Sequence, residues 1–341
     1  MLRTLLLAGM FWAGTCFAQA PATPPTPADT LTHAHQLLEQ GNVDEALKEL
    51  KAIQSRDQGL KGLDRELGIA YYRTSDYLRS SSYLEKVTAA DPNDKEATQL
   101  LGLSYFFTGK PKQAIPLLEK VQSWFPTAHV DASYVLGISY IQTRDYNNAR
   151  KAFATMFGVS PDSAAAHIFL ARMLMRQGFD TIAEQEAVKA VELDPKLPMA
   201  NYLLGEMYIF KSRIPEAIKA FEAELAINPA NAATYYRLAD AYTRVQRWDD
   251  AEKLLQQSIW LDSTASGPFI LMGKVLLKKN DATLAIRSLQ RALAMDPNNY
   301  ISHNLLGQAY RMQGKTADAE KELELSQRLQ DAQNRTKPEL Q

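Results

Sequence analysis

Histidine, cysteine and paired carboxylates are the side chains that could hold a metal, carry a proton or attack an electrophile. This chain offers five histidines and one cysteine in 341 residues. His33 and His35 form an HxH pair, but residues two apart on a helix do not share a face, and no cysteine or carboxylate completes a ligand spacing around them. His167 and His303 recur at equivalent points of an internal repeat, where packing or the lining of a groove accounts for them; His129 is the fifth histidine. Cys16 lies inside an N-terminal apolar segment, which leaves the rest of the chain without an internal disulfide. A serine nucleophile elbow, a phosphate-binding Walker loop, a dinucleotide glycine fingerprint and zinc-protease spacing are all missing. The expectation is a non-catalytic chain with no cofactor and no metal site.

Composition narrows the class further. The chain is 46% apolar and 23% charged, as in a globular protein, and stability must come from packing. Thirty-eight Lys and Arg nearly balance 39 Asp and Glu, so there is no basic footprint and no nucleic-acid partner is expected. A neutral total can still hide charged faces. At the N-terminus, Arg3, an apolar stretch from Leu5 to Phe17 and small residues at Ala18 and Ala20 form the pattern of a secretory signal, too short to span a bilayer comfortably. Cleavage is expected after Ala18, giving a signal peptide of residues 1–18; cutting after Ala20 would leave Pro21 at the new terminus. Lipidation at Cys16 fits the preceding Ala13-Gly14-Thr15 poorly. Residues 19–28 (QAPATPPTPA) contain four prolines and no large apolar residue, which predicts an extended linker unable to form a helix. The mature chain has no run of membrane-spanning length, so an exported protein, periplasmic or secreted, is expected.

The elements that position everything else come from an internal period. Leu-Gly pairs stand at Leu67-Gly68, Leu101-Gly102, Leu136-Gly137, Leu204-Gly205 and Leu306-Gly307, with Leu170-Ala171, Leu238-Ala239 and Met272-Gly273 between them, at steps of 34 residues and once 35. Twelve residues after each comes Ser80, Ala114, Ala149, Ala183, Ala217, Ala251, Ala285 or Ala319, and a third ladder runs through Pro92, Pro126, Pro161, Pro195, Pro229 and Pro297. Leu136 and Tyr140, like Leu170 and Leu174, are four apart and share a helical face. Small residues recur where two helices would cross, because larger ones would hold the axes apart. Asp-Pro or Asn-Pro then ends the second helix. Pro111 and Pro215 fall near a helix start, where a missing amide is harmless; Pro116 lies deeper and should kink its helix.

This pattern resembles the tetratricopeptide repeat (TPR), whose signature is Leu-Gly-x-x-Tyr, then Ala-x-x-x-Phe, then Pro. Leu136, Gly137, Tyr140, Ala149, Phe153 and Pro161 match it in full, as do Leu204, Gly205, Tyr208, Ala217, Phe221 and Pro229. Nine repeats are expected, near 27–60, 61–94, 95–128, 130–163, 164–197, 198–231, 232–265, 266–299 and 300–333, with one residue inserted near His129 and a tail at 334–341. The resemblance implies an all-α, right-handed superhelical solenoid with the first helix of each repeat (helix A) lining the inside. The last helix, about Ala317 to Gln330, reads as a polar cap.

In the family, positions 2, 5, 9, 12 and 13 of helix A face the groove. In repeats 2 to 4 these include Arg65, Ile69, Tyr72, Leu103, Phe106, Tyr134, Ile138 and Ile141, which predicts an apolar wall. In later repeats they include Arg172, Met175, Arg176, Tyr202, Glu206, Tyr236, Asp240 and Lys274, so charge enters toward the C-terminus. One expectation is a partner segment anchored on Tyr72, Phe106, Tyr134 and Tyr202, with Arg172 and Arg176 taking an acidic group; the other is that several of these side chains pack between adjacent helices. Arg65 with Ile69, or Ile270 with Lys274, do not reproduce the Lys and Asn of the family's carboxylate clamp. The expected function is a protein–protein interaction scaffold of the cell envelope or secreted space. The alternatives are a glycan- or peptide-binding module stacking on Tyr72, Tyr134, Tyr202 and Tyr236, or an accessory subunit of a polysaccharide, pilus or outer-membrane assembly complex.

Overall fold

Each period of the sequence folds as two helices joined by a three-residue turn. The computed structural model describes residues 26–125, 130–178 and 180–336, and within them every regular element is an α-helix. Nine hairpins follow in chain order: α1 (Pro27–Glu39) with α2 (Val43–Arg56), α3 (Leu63–Arg73) with α4 (Tyr77–Ala90), α5 (Lys95–Phe107) with α6 (Pro111–Trp124), α7 (Val130–Gln142) with α8 (Tyr146–Phe157), and α9 (Ala164–Arg176) with α10 (Asp180–Leu193). The remaining four are α11 (Ala200–Phe210) with α12 (Ile214–Ile227), α13 (Ala232–Arg244) with α14 (Trp248–Leu261), α15 (Ser266–Lys278) with α16 (Ala282–Met295), and α17 (Tyr300–Met312) with α18 (Thr316–Thr336). No described helix is long and apolar enough to cross a membrane. The expected signal peptide, Cys16, His129 and the inserted residue lie outside the described residues.

The helix crossings explain the small-residue ladder. A Cβ added at Gly205 would lie 2.4 Å from the Phe221 ring, and one at Gly137 2.4 Å from Phe153; at Gly68, Gly102, Gly273 and Gly307 it would meet a leucine at 2.5 to 2.9 Å. Glycine thus makes room for a large helix-B side chain at these six crossings, while Ala34 beside Leu50 and Ala239 beside Leu255 occupy the same positions in hairpins 1 and 7. Where the chain has Ala171 instead, the equivalent helix-B residue is Ala187, and both are fully buried. Ser80 takes the small position of α4 and uses it, donating to the Gly68 carbonyl at 2.9 Å and accepting from Ser104 at 3.1 Å.

The turns follow one geometry that the sequence does not advertise. In every hairpin the second turn residue has positive φ: Gly41, Gly109, Gly178 and Gly314, but also Ser75, Arg144, Ser212, Gln246 and Asn280. In the eight hairpins whose next residue is described, its amide reaches back five residues, as Asp76 does to the Tyr71 carbonyl at 2.9 Å, which closes helix A in a Schellman-type end.

The chain forms two compact units, Met1–Val121 and Gln122–Gln341. In the first, Leu38, Leu50, Leu67 and Tyr71 centre one core and Leu84 and Leu101 a second. In the second, a long core runs from Phe221 through Leu255 and Leu289 to Leu306.

Three expectations need correction. The linker does not stay extended to residue 28: α1 starts at Pro27, whose missing amide costs nothing at the first helical position, and Thr26 with Asp29 forms a capping box ahead of it. The last helix is longer than expected at both ends, Thr316–Thr336, and takes in the start of the presumed tail. The wall of repeats 2 to 4 is not open: Ile69, Leu103 and Ile138 are 3–5% exposed and Ile141 is fully buried, because side chains at these positions are packed among neighbouring helices.

Candidate protein-binding cleft

Arg65 in the first unit is not available to a partner either. Its guanidinium reaches Asp94 at 2.9 Å, Glu66 at 3.2 Å and Glu96 at 2.5 Å. Tyr72 and Phe106 are half-buried in an aromatic chain in which Tyr72 meets Tyr77, Tyr77 stacks on Phe107 at 4.5 Å and Phe106 abuts Phe107. Phe107 is the member that opens to solvent. In the second unit, Tyr134 is half-buried against Phe153.

From α9 onward the helix-A side opens. Ile168, Arg172, Met175 and Arg176 of α9 and Tyr202 and Glu206 of α11 line a cleft of about 280 Å³. Met175 and Glu206 also line its neighbour, a cleft of about 640 Å³ that continues to Ile209 and Phe210 and to Arg237 and Arg244 of α13. Phe210 is 75% exposed and Met175 36%, so both present apolar surface to water beside these openings. Among the described residues no carboxylate lies within ion-pair distance of Arg172 or Arg176. A third cleft, about 450 Å³, lies between α15 and α17, lined by Lys274, Lys278, Leu305 and Arg311 among others.

The floor is held by two ion pairs. Arg237 Nη2 donates to Glu206 Oε2 at 3.0 Å, and Arg244 Nε donates to Asp240 at 3.0 Å. Burial pushes the Glu206 carboxyl above the usual glutamate range; Arg237 opposes the shift and the charge on Asp240 adds to it. Tyr202 is fixed by an edge contact with Phe221, ring centres 5.8 Å apart. Tyr236 stands over Gly267, where its ring would meet an added Cβ at 3.5 Å, so it sits against hairpin 8 rather than lining the two neighbouring clefts. Of the residues named from the sequence, the structure brings Arg172, Met175, Arg176, Tyr202 and Glu206 together, and places Lys274 in the separate cleft.

Two contributors escaped the sequence reading. Phe210 occupies position 13 of its repeat, the position that gave Arg176, so carrying that position through would have found it. Arg237 stands at position 6, which the groove pattern leaves out, and no sequence signal marks it.

Each of the four described histidines faces a carboxylate within the fold. His167 and His303 are buried, with Nδ1 2.6 Å from Glu186 and 2.5 Å from Glu322 of the partner helix in each hairpin. His33 faces Glu49, and His35 joins α1 to the buried Glu66 of α3 at 3.0 Å. Among the described residues no group of three or more His, Cys, Asp or Glu side chains is placed to hold a metal.

Comparison with known proteins agrees with this architecture. Models described as "Tetratricopeptide repeat" match residues 134–198, 270–333 and 211–259, together a little over half of the chain, and one described as "Anaphase-promoting complex, cyclosome, subunit 3" matches 73–156. The chain is 22% identical over 286 residues to Anaphase-promoting complex subunit 3 of Schizosaccharomyces pombe, covering 82% of this chain and 42% of that protein. It is 24% identical over 243 residues to Hsp70-Hsp90 organizing protein 1 of Glycine max, covering 69% of this chain and 41% of that protein. This chain thus spans about two fifths of the length of these relatives. A solved structure described as "Functional Characterization of Pseudomonas Aeruginosa pilF" is 18% identical, with a TM-score of 0.48 over 61% of this chain and 97% of its own. By its repeat models and its ladder of hairpins, the chain belongs to the all-α tetratricopeptide-repeat proteins.

Proposed function

We propose that this chain is a non-catalytic scaffold that holds a segment of another protein against the helix-A side of hairpins 5 to 7. The observation that carries this is the pair of adjoining clefts that share Met175 and Glu206: exposed Phe210 lines one, and Arg172 and Arg176, which no described carboxylate neutralises, line the other. Exposed apolar side chains grouped in a cleft, as Met175 and Phe210 are, are typical of an interaction site. Two of the relatives are named as a subunit of a complex and as an organiser of two other proteins, which fits a holding role. The N-terminal pattern of Arg3, Leu5 to Phe17 and Ala18 supports the reading that this work is done in the periplasm or outside the cell. Partners there would include components of envelope assembly complexes.

The test is a photo-crosslinking residue at Tyr202, compared with one at Lys219 on helix B. Discrete protein adducts from position 202 alone, lost when Met175 and Phe210 are both replaced by serine with the circular dichroism unchanged, support docking in the cleft. Equal adducts from both positions, or adducts indifferent to the serine pair, overturn it. For export, N-terminal sequencing of the protein from fractionated cells should begin at Gln19; an intact Met1 in the cytoplasm refutes that part alone.

A further inference from the structure

Charge is sorted between the two helices of hairpins 5 to 7, whose A helices together are basic and whose B helices are acidic, and the A helices of hairpins 8 and 9 continue the basic side, although α8 and α16 are themselves basic. Helices α9, α11, α13, α15 and α17 carry seven Arg and Lys against two carboxylates, Glu206 and Asp240. Helices α10, α12 and α14 carry ten carboxylates against three lysines. The whole chain has a formal net charge of −1, so the imbalance is one of position, not composition. Glu206 and Asp240 are already engaged by Arg237 and Arg244. Arg172, Arg176, Lys274, Lys278 and Arg311 have no carboxylate within ion-pair distance among the described residues. Lys274 and Lys278 are four apart on α15, an arrangement that repels weakly along the helix and that an opposing charge would relieve.

We propose that the occupant of this side is an acidic protein segment, its carboxylates set against these five cations and its apolar side chains in the clefts between them. This deepens the docking reading above and rests on it. The clefts favour polypeptide over nucleic acid. Met175, Ile209 and Phe210 line the cleft beside α9, α11 and α13, and they suit aliphatic or aromatic side chains spaced along a peptide. A phosphate polymer brings evenly spaced charge and needs a continuous basic track. Electrostatic complementarity of this kind raises the association rate and selects the partner, and it weakens with salt.

The test uses the full mature chain and three fluorescent peptides of about 20 residues: one alternating Glu with Leu and Phe, one with each Glu as Gln, one with each Glu as Lys. Anisotropy should show that the Glu peptide binds about tenfold or more tighter than the Gln peptide and that the Lys peptide does not bind. Each double reversal, R172E with R176E or K274E with K278E, should lower Glu-peptide affinity about tenfold, and salt near 300 mM should weaken it further. Should a reversal disturb the circular dichroism, R172Q with R176Q replaces it, with the same direction expected. Equal binding of Glu and Gln peptides, lost on Phe210→Ser but not on charge reversal, overturns the acidic assignment and leaves the docking reading standing. A single-stranded oligonucleotide that displaces the Glu peptide and binds more tightly overturns it in favour of nucleic acid. Failure of all three peptides to bind overturns the acidic assignment and counts against the docking reading, which the crosslinking result decides separately.

Discussion

Replacing Gly205 by alanine should destabilise the second unit even though alanine is the better helix former. In an open helix the change gains up to about 1 kcal/mol. Here the new methyl would meet three ring carbons of Phe221 at 2.4, 2.6 and 2.6 Å, and Phe221 is fully buried, so its ring has no solvent into which to retreat. Overpacking of a well-filled core costs about 1–3 kcal/mol, which against a gain of about 1 kcal/mol leaves a net loss of up to about 2 kcal/mol. The cause is tested by a double-mutant cycle. Phe221→Ala alone should cost about 3–5 kcal/mol through the cavity it leaves, but on that background Gly205→Ala should become neutral or stabilising. The product imitates Ala171 with Ala187 two helices earlier, so the fold is known to accept it. Urea midpoints with unchanged m-values give the free energies, with coincident far-ultraviolet and tyrosine signals checking that the array unfolds as one. A native background in which Gly205→Ala stabilises, or equal effects in both backgrounds, would refute the crossing argument.

Glu224→Ala should cost about 2 kcal/mol or more, because this fully buried carboxylate accepts from the Met199 and Tyr202 amides at 2.8 and 3.3 Å and closes the start of α11, which has no N-cap side chain of its own; a midpoint unchanged in urea would show the contact to be idle. His35 has its pKa raised from 6.5, first by the hydrogen bond to Glu66 and then by that carboxylate's charge, so its contribution is present below 6.5 and is lost as pH rises through the raised value. The difference in stability between the native chain and His35→Gln should therefore shrink from about pH 5.5 to pH 8, and a constant difference would contradict this. Gln246→Gly should stabilise by about 1 kcal/mol, since Gln246 holds φ near +60°, while Gly41→Ala should cost a similar amount at the equivalent turn; thermal melts that move both variants the same way would exclude the strain argument. Pro116→Ala should stabilise the first unit by up to about 3 kcal/mol, because this exposed residue inside α6 denies the helix one amide and crowds the preceding turn; no gain in the urea midpoint would mean that the proline is accommodated without cost.

The hairpins were legible because their causes are local and repeated. A leucine followed by glycine, a small residue twelve positions on and a proline at the close each answer one steric need, and a period of 34 makes every need visible many times. The turns were less so. Nine residues share a left-handed backbone, yet only four are glycine, because the Schellman hydrogen bonds fix the chain whatever side chain it carries. Glu224 was illegible for the opposite reason: one charge in one repeat satisfies a helix end that other hairpins close with Asp94, Ser163 or Asn231.

The candidate site marks the limit most clearly. Position 9 of helix A holds Ile69, Leu103 and Ile138 in hairpins 2 to 4, and Arg172, Glu206, Asp240 and Lys274 in hairpins 5 to 8. The family pattern assigns one orientation to all of them, and an apolar side chain there can be either an exposed anchor or an interhelical filler. The two cases differ by how closely the next helix A approaches, which depends on many crossings and not on the residue itself. The structure resolves this in favour of filling for the isoleucines and leucine, while the charged members remain at or near the surface. The apolar surface a partner could use must then come from elsewhere, and it does: Phe210 at position 13 and Met175 at position 12 are exposed, although Ile141 at position 12 of hairpin 4 is fully buried. Binding surface in this array is thus set by where a repeat fails to bury what it carries, and this is why its chemistry can change along the chain while its period does not.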